Sequence, residues 1–219
     1  IKYRRILEQS LDEIFSTEYA NMKDCIEAKL FGIGLESYTV GSYDFYLGYG
    51  AKKGKIVTLD TGHFHLTESI ADKISSMLLF TPEIMLHVSR TIRWDSDHVV
   101  ILNDDLQDLA REIIRCDALD RVHIGLDYFD ATINRIGAYV IGCRATQKAF
   151  IQALLEPSSL LNSYEENGQY FERLALQEEL KSMPWQAVWD YYCFLNDVPV
   201  GENYISEIQK YEQTVTSKR

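Results

Sequence analysis

Between residues 25 and 155 the chain repeats one unit four times: a strand-length apolar run, a polar loop, then a stretch of helical period. The runs are CIEAKL (25–30), KIVTLD (55–60), EIMLHV (83–88) and RVHIGLD (121–127). Strands alternating with helices make βαβ units, and right-handed crossovers then give a parallel sheet with helices outside. After the first run, residues 41–50 are aromatic-rich and read as helical. Ile70, Ile74, Met77 and Leu78 form the apolar face of the second helix. Asn103 is placed to cap the third, whose stripe is Leu106, Leu109, Ala110, Ile113 and Ile114. The fourth runs over 133–155 and stops before Pro157, which disfavours a helical residue ahead of it.

Four such units are half of an eight-stranded βα barrel. Four parallel strands cannot close on themselves, and an open sheet leaves two bare edges. The expected fold is therefore an α/β chain, a (β/α)8 TIM barrel of which residues 1–156 hold the last four units. The missing strands are expected from upstream in a longer polypeptide. The opening IKYRRILEQSLDEIF has no initiator Met, and its Ile6, Leu7, Leu11, Ile14 and Phe15 already recur at helical spacing, so residue 1 is expected inside a helix. Beyond Pro157 the period of two disappears. Residues 157–219 read as an all-helical extension with helices over 170–182, 185–195 and 203–215.

Hydrophobic content of 46% is ample for a core. Acidic residues outnumber basic ones 33 to 22, for a net charge of −11, the opposite of a nucleic-acid surface. The 4 cysteines are scattered without a CxxC pair, which points to a reducing cytoplasm. No apolar run has the length of a membrane span, so no membrane partner is expected.

Each strand contributes a metal-capable side chain at about one βα interval from the last: Glu27, Asp60, His87 and Asp127. In a βα barrel successive strands deliver their C-terminal ends to one shared mouth, so these four are expected to converge. Three carboxylates around an imidazole repel one another unless a divalent cation neutralises them, and that donor set suits Mn2+, Mg2+ or Zn2+. A single Asp or Glu after a strand is explained as well by starting a helix; four in the same phase are not. DTGHFH adds His63 in the loop past Asp60, and WDSDH adds Asp95 and Asp97. In an extended loop those two aspartates face the same way. Asp60 then bridges two ions, the outer one completed by His63, Asp95 and Asp97. Lys29, two residues after Glu27, is expected on the same face, buried and pointing inward, where its ammonium would hold a substrate oxygen.

Other residues read more simply. His65 and His98 fit a surface or supporting role, and His123 a deeper layer of the face that carries Asp127. Trp94 either walls the site or packs. FGIGLES (31–37) lacks the GK[ST] ending of a phosphate loop. Trp185, Trp189, Tyr191 and Tyr192 fit core or subunit contact.

The segments IEAKLFGIGLESYTVGS, LDTGHFHLTE, LHVSRTIRWDSDHVV, DRVHIGLDYFDATINRI and MPWQAVW together closely resemble the bacterial L-rhamnose isomerase family, over essentially all of the chain and specifically its C-terminal half. The resemblance implies a cytoplasmic, usually tetrameric aldose–ketose isomerase that converts L-rhamnose to L-rhamnulose. It also implies Mn2+ at a catalytic site of His63, Asp95 and Asp97, and Zn2+ or Mn2+ at a structural site of Glu27, Asp60, His87 and Asp127. Lys29 and Asp127 then contact the sugar, Lys29 at its carbonyl oxygen. The family's first half, with further strands and substrate contacts, is absent.

Two rival readings exist. A metal-dependent phosphodiesterase or endonuclease also clusters carboxylates and histidines on such a barrel, but it needs a basic groove that this acidic chain lacks. A non-catalytic fragment would bind metal and await its N-terminal half.

Overall fold

The computed structural model describes residues 1–29, 34–93, 96–130 and 132–219. Helix α1 (Lys2–Ile14) comes first; Ile1 lies just outside it and caps it, its carbonyl accepting from Arg5 N at 3.0 Å. Strand β1 is Cys25–Ile26, shorter than the expected 25–30, because the ladder to its neighbour ends there. Then come α2 (Tyr43–Lys53), β2 (Ile56–Asp60), α3 (Ala71–Leu78) and β3 (Ile84–Val88). A short hairpin follows, β4 (Arg90–Thr91) with β5 (Asp97–His98), where the sequence suggested only an extended loop. Helix α4 (Asp104–Arg115), β6 (Val122–Leu126) and α5 (Arg135–Leu154) complete the repeat.

β1, β2, β3 and β6 form one parallel sheet in that order, each joined to the next through a helix. The register separates its two faces. Val57, Leu59, Ile84, Leu86, Val88 and Val122 alternate onto one face, all buried, and pack under the helices. Thr58, Asp60, Met85, His87, His123 and Gly125 alternate onto the other. One face is an oily floor for α2–α5; the other is largely polar and holds the chemistry.

Local signals account for the helices. Ser42 Oγ accepts from Phe45 N to open α2, which ends at Gly54 with φ 68°, a conformation glycine adopts without strain. Gly50 lies where α2 meets β2: a Cβ there would sit 2.3 Å from Val57 Cγ2. Asn103 Oδ1 caps α4 as expected, accepting from Leu106 N at 3.1 Å, and Leu106, Leu109, Ala110 and Ile113 are buried beneath it. The inward stripe of α5 is Ala138, Gly142, Ala145, Ala149 and Ala153, small enough for α4 to lie close.

Four helices follow Pro157 rather than three: α6 (Ser158–Glu166), α7 (Tyr170–Lys181), α8 (Trp185–Leu195) and α9 (Tyr204–Thr214). α6 reads as loop because it is short and rich in Ser and Asn; tertiary burial of Leu161 sustains it. Among the described residues, no helix is long and apolar enough to cross a membrane.

The ends of α4 and α5 are tied by a bidentate pair, Arg115 Nε and Nη2 to the two Glu156 oxygens at 2.7 Å each, with the Glu156 side chain 6% exposed. Glu156→Ala strips Arg115 of this partner and removes the carboxylate that lies 3.8 Å from Arg111 Nε. The expected loss is about 2–3 kcal/mol by urea denaturation, since removing one member of a buried charged pair strands the other. A change below about 0.5 kcal/mol would mean the guanidiniums find water instead.

Candidate metal centre

Parallel register puts Asp60 directly beside His87 at the carboxyl ends of β2 and β3. Glu27 reaches them from just past β1, and Asp127 from just past β6. His87 Nδ1 is the meeting point, 3.2 Å from Glu27 Oε2, 3.3 Å from Asp127 Oδ2 and 3.7 Å from Asp60 Oδ2. That nitrogen is buried yet makes no hydrogen bond among the described residues. Glu27, Asp60 and His87 each offer one donor atom, all within 4.8 Å of one another. On β6 the residue beside His87 is Gly125, which has no side chain to crowd the ring.

Asp60 is the most constrained of the set. It is 4% exposed, and its Oδ1 accepts from Gly62 N at 2.6 Å across the tight turn that follows β2. Burial is the main force pushing its carboxyl up, to about 6, with the nearby Glu27 and Asp97 carboxylates adding to it. His63 and the Gly62 N–H pull the other way and do not compensate. A buried acid with two anionic neighbours is a place where a cation is stabilised.

His63 stands over the same group, Nδ1 3.8 Å from Glu27 Oε1 and Nε2 3.9 Å from Asp60 Oδ2. Asp97, in the hairpin, lies close enough to act electrostatically on Asp60, and its buried Oδ1 also has no hydrogen-bond partner among the described residues. Asp95, expected to complete the outer set, and Trp94 lie outside the described residues. Asp127 sits at the rim with its side chain 56% exposed. An imidazole nitrogen and several carboxylate oxygens, with two buried atoms lacking hydrogen bonds, match the chemistry of a divalent cation such as Mn2+ or Zn2+.

Lys29 departs from expectation. Its side chain is 55% exposed and pairs with Glu36 Oε1 at 2.6 Å rather than lying buried. The inward placement assumed strand alternation, but the ladder ends at Ile26 and the chain beyond it leaves the sheet. Lys29 still lines a small cavity beside the centre with Thr58, Asp60, His63, Tyr43 and Phe64. Tyr43 stands edge-on to Phe64 at 5.0 Å, and burial pushes its phenol up to about 12. These two aromatics form an apolar wall that sequence reasoning missed; a periodicity of helices and strands carries no sign of what a loop phenylalanine faces.

The remaining histidines are engaged elsewhere. His65 Nδ1 meets Thr67 Oγ1 at 2.7 Å, His98 is half-buried opposite Arg90 in the hairpin, and His123 holds Glu83 at the far end of β6. In the tail, Trp189 is 2% exposed and stacked on Tyr192, Trp185 donates to Leu180 O at 2.7 Å, and Tyr191 is exposed.

Comparison with known proteins bears on what this geometry serves. Residues 1–219 match the family model described as L-rhamnose isomerase (RhaA). The chain is 68% identical over 219 residues to the L-rhamnose isomerase of Bacteroides thetaiotaomicron, covering 100% of this chain and 52% of that protein. It is 54% identical over 221 residues to that of Pectobacterium carotovorum subsp. carotovorum, covering 100% and 53%. To that of an Enterobacter species it is 56% identical over 218 residues, covering 99% and 52%. The chain thus spans about half the length of the curated relatives it matches. Nothing in these matches supports the phosphodiesterase reading or the non-catalytic one.

Proposed function

Because this chain belongs to the L-rhamnose isomerase family, we propose that it is the C-terminal part of an enzyme interconverting L-rhamnose and L-rhamnulose. The observation that carries the reading is the convergence of Glu27, Asp60 and His87, with the buried His87 Nδ1 making no hydrogen bond among the described residues. Residues 1–156 are the second half of a (β/α)8 barrel, a reading supported by the parallel order of four strands with helices on one face. Residues 157–219 are a helical extension.

Glu27, Asp60, His87 and Asp127 hold one divalent ion, Zn2+ or Mn2+. His63, Asp95 and Asp97, with Asp60 shared, hold the catalytic Mn2+. Such ions supply Lewis acidity, polarising a carbonyl oxygen and stabilising the negative charge that gathers on it. The reaction moves one hydrogen, as hydride, between C1 and C2 while a proton passes between their oxygens, so no atom is gained or lost.

The chain's own groups do the rest. Lys29 must release Glu36 to place its ammonium at the sugar O1; that exchange of a carboxylate for a developing alkoxide favours the transition state. Asp127, at the rim, accepts a sugar hydroxyl. Tyr43 and Phe64 exclude water and offer an apolar surface to the deoxy carbon. The test is to place this chain in the matched segment of the Bacteroides thetaiotaomicron enzyme and assay L-rhamnose with Mn2+. Ketose formation is expected; a folded, metal-loaded chimera without turnover on L-rhamnose would overturn the substrate assignment.

Proton competition at Asp60 sets the pH profile. Below about pH 6 an entering ion must displace the Asp60 proton, so apparent Mn2+ affinity should fall about tenfold per pH unit there and level off above. Calorimetric titration across that range checks it, and a flat profile would remove Asp60 from the ligand set.

A homotetramer in the cytoplasm completes the reading. It is supported by exposed apolar side chains on the tail helices, Phe171 at 79%, Phe194 at 70% and Leu195 at 61%, and by the acidic charge with unpaired, scattered thiols. Light scattering behind gel filtration of the same chimera should give a four-subunit mass; a single-subunit mass would reject the assembly.

A further inference from the structure

We infer that Thr91 is a positioning residue: its hydroxyl bond to the Thr61 carbonyl sets how far the Asp97 hairpin stands from the turn that carries Asp60 and His63. The inference rests on the two-ion reading above and adds residues that chemistry alone would overlook, since no threonine ligates either ion.

The geometry is a set of short bonds stitching three strand ends together. Thr61 immediately follows Asp60, and its N–H donates to His87 O at 3.0 Å, carrying the β2–β3 ladder one step past the ligands. Thr61 Oγ1 accepts from Ser89 N at 2.9 Å and lies 3.2 Å from Ser89 O, the acceptor for its single proton. Thr91 Oγ1 then donates to Thr61 O at 2.9 Å. Thr91 is paired across the hairpin with Asp97, so this last bond fastens Asp97's own strand partner to the Asp60–His63 turn. Among the described residues the hairpin is also held by Arg90 Nε donating to Val99 O at 3.1 Å, by Phe129 N to Asp97 O at 3.4 Å, and by Ser96 Oγ accepting from Arg93 N at 2.7 Å within its own loop.

Asp60 and His87 do not depend on the hairpin, because sheet register sets them, and Glu27 follows directly on the last paired residue of β1. Asp97 does, because a two-residue strand pair cannot hold a fixed distance unaided. Loss of the Thr91 hydroxyl therefore frees Asp97 to drift from Asp60 and His63 while leaving the inner group in place. The second ion loosens and the first is spared. Metal ligands are held by the groups behind them, and removing such support typically weakens binding about ten- to a hundredfold.

The test is Mn2+ alone titrated into the protein, with the free ion followed by electron paramagnetic resonance. The unmodified chain should show two classes of site. Thr91→Val, and Thr91→Ala as a second variant if the first does not fold, should weaken one class roughly tenfold and leave the other within about twofold. Thr91→Ser, which keeps the hydroxyl, should restore both classes to within about twofold. Two unchanged classes in the Val or Ala variant overturn this inference alone, as does equal weakening of both, which is what a merely structural threonine would give. A single class in the unmodified chain overturns the two-ion reading and this inference with it.

Discussion

Asp60→Asn is expected to abolish tight metal binding at both centres and, in the same variant, to make the metal-free protein more stable at neutral pH. Both effects come from one property of the residue. Asp60 is the carboxylate shared by the two proposed ion sites, so no remaining set has its full complement of anionic donors, and turnover should fall more than about a hundredfold. Without an ion, however, the ionised carboxylate is a burden, buried and facing Glu27 and Asp97. Its pKa rises from 3.8 to about 6 on folding.

An acid with a raised folded pKa holds its proton more tightly in the folded chain. The contribution of this group to stability is therefore fully present below about pH 4 and is lost as pH climbs through about 6. About two units at roughly 1.4 kcal/mol each give a penalty on the order of 3 kcal/mol above that window. With Asp60 5% exposed at its side chain, solvent screening removes little of it. Asp60→Asn should recover roughly 2–3 kcal/mol at pH 7 and nothing at pH 4, by urea denaturation in chelator. A variant less stable than the parent at pH 7 would show that Asp60 serves the fold rather than an ion.

Trp189→Ala should be among the most damaging changes outside the centre, costing about 3–5 kcal/mol. The indole is 2% exposed, stacked on Tyr192 with ring centroids 5.7 Å apart. The Arg144 guanidinium lies over it at 5.0 Å and over Tyr204 at 4.6 Å, while donating to Pro199 O and Gly201 O. Arg144 belongs to α5 and is itself 9% exposed, so one residue of the sheet-covering layer is wrapped by the tail from α8 to α9. Truncating the indole leaves a cavity and uncovers that guanidinium. Trp189 Nε1 has no hydrogen-bond partner among the described residues, so Trp189→Phe sacrifices no bond and should cost less than about 1.5 kcal/mol. Equal losses for Ala and Phe, measured as urea midpoints, would mean the polar edge matters and the volume does not. Mn2+ affinity should stay within about twofold in both, since the tail contributes no ligand.

Much of the centre is legible in the residue pattern because it is written in strand phase. In IMLHV and VHIGL the apolar residues alternate onto the helix-covered face, and this leaves His87 and Gly125 on the other face in neighbouring register. Asp60, last in β2, falls beside His87 for the same reason. Where the ladder ends, the legibility ends too. Lys29 lies three residues beyond the last paired position of β1, and alternation no longer dictates its direction, so it swings out to Glu36. The β4–β5 hairpin escapes a periodicity reading because two-residue strands contain no period. Its tie from Thr91 to Thr61 depends on cross-strand register rather than on any residue type. Helix α6 is hidden because SSLLNSYEE has little intrinsic helical preference; the burial of Leu161 supplies what propensity does not.

Anomalous scattering from crystals grown with Mn2+ tests the central claim most directly. A peak is expected about 2.0–2.3 Å from a carboxylate oxygen of Glu27, one of Asp60 and a ring nitrogen of His87, with a second peak on the His63 and Asp97 side of Asp60. Full-occupancy Mn2+ bound only at unrelated surface carboxylates, with the space between Glu27, Asp60 and His87 holding water, would contradict it.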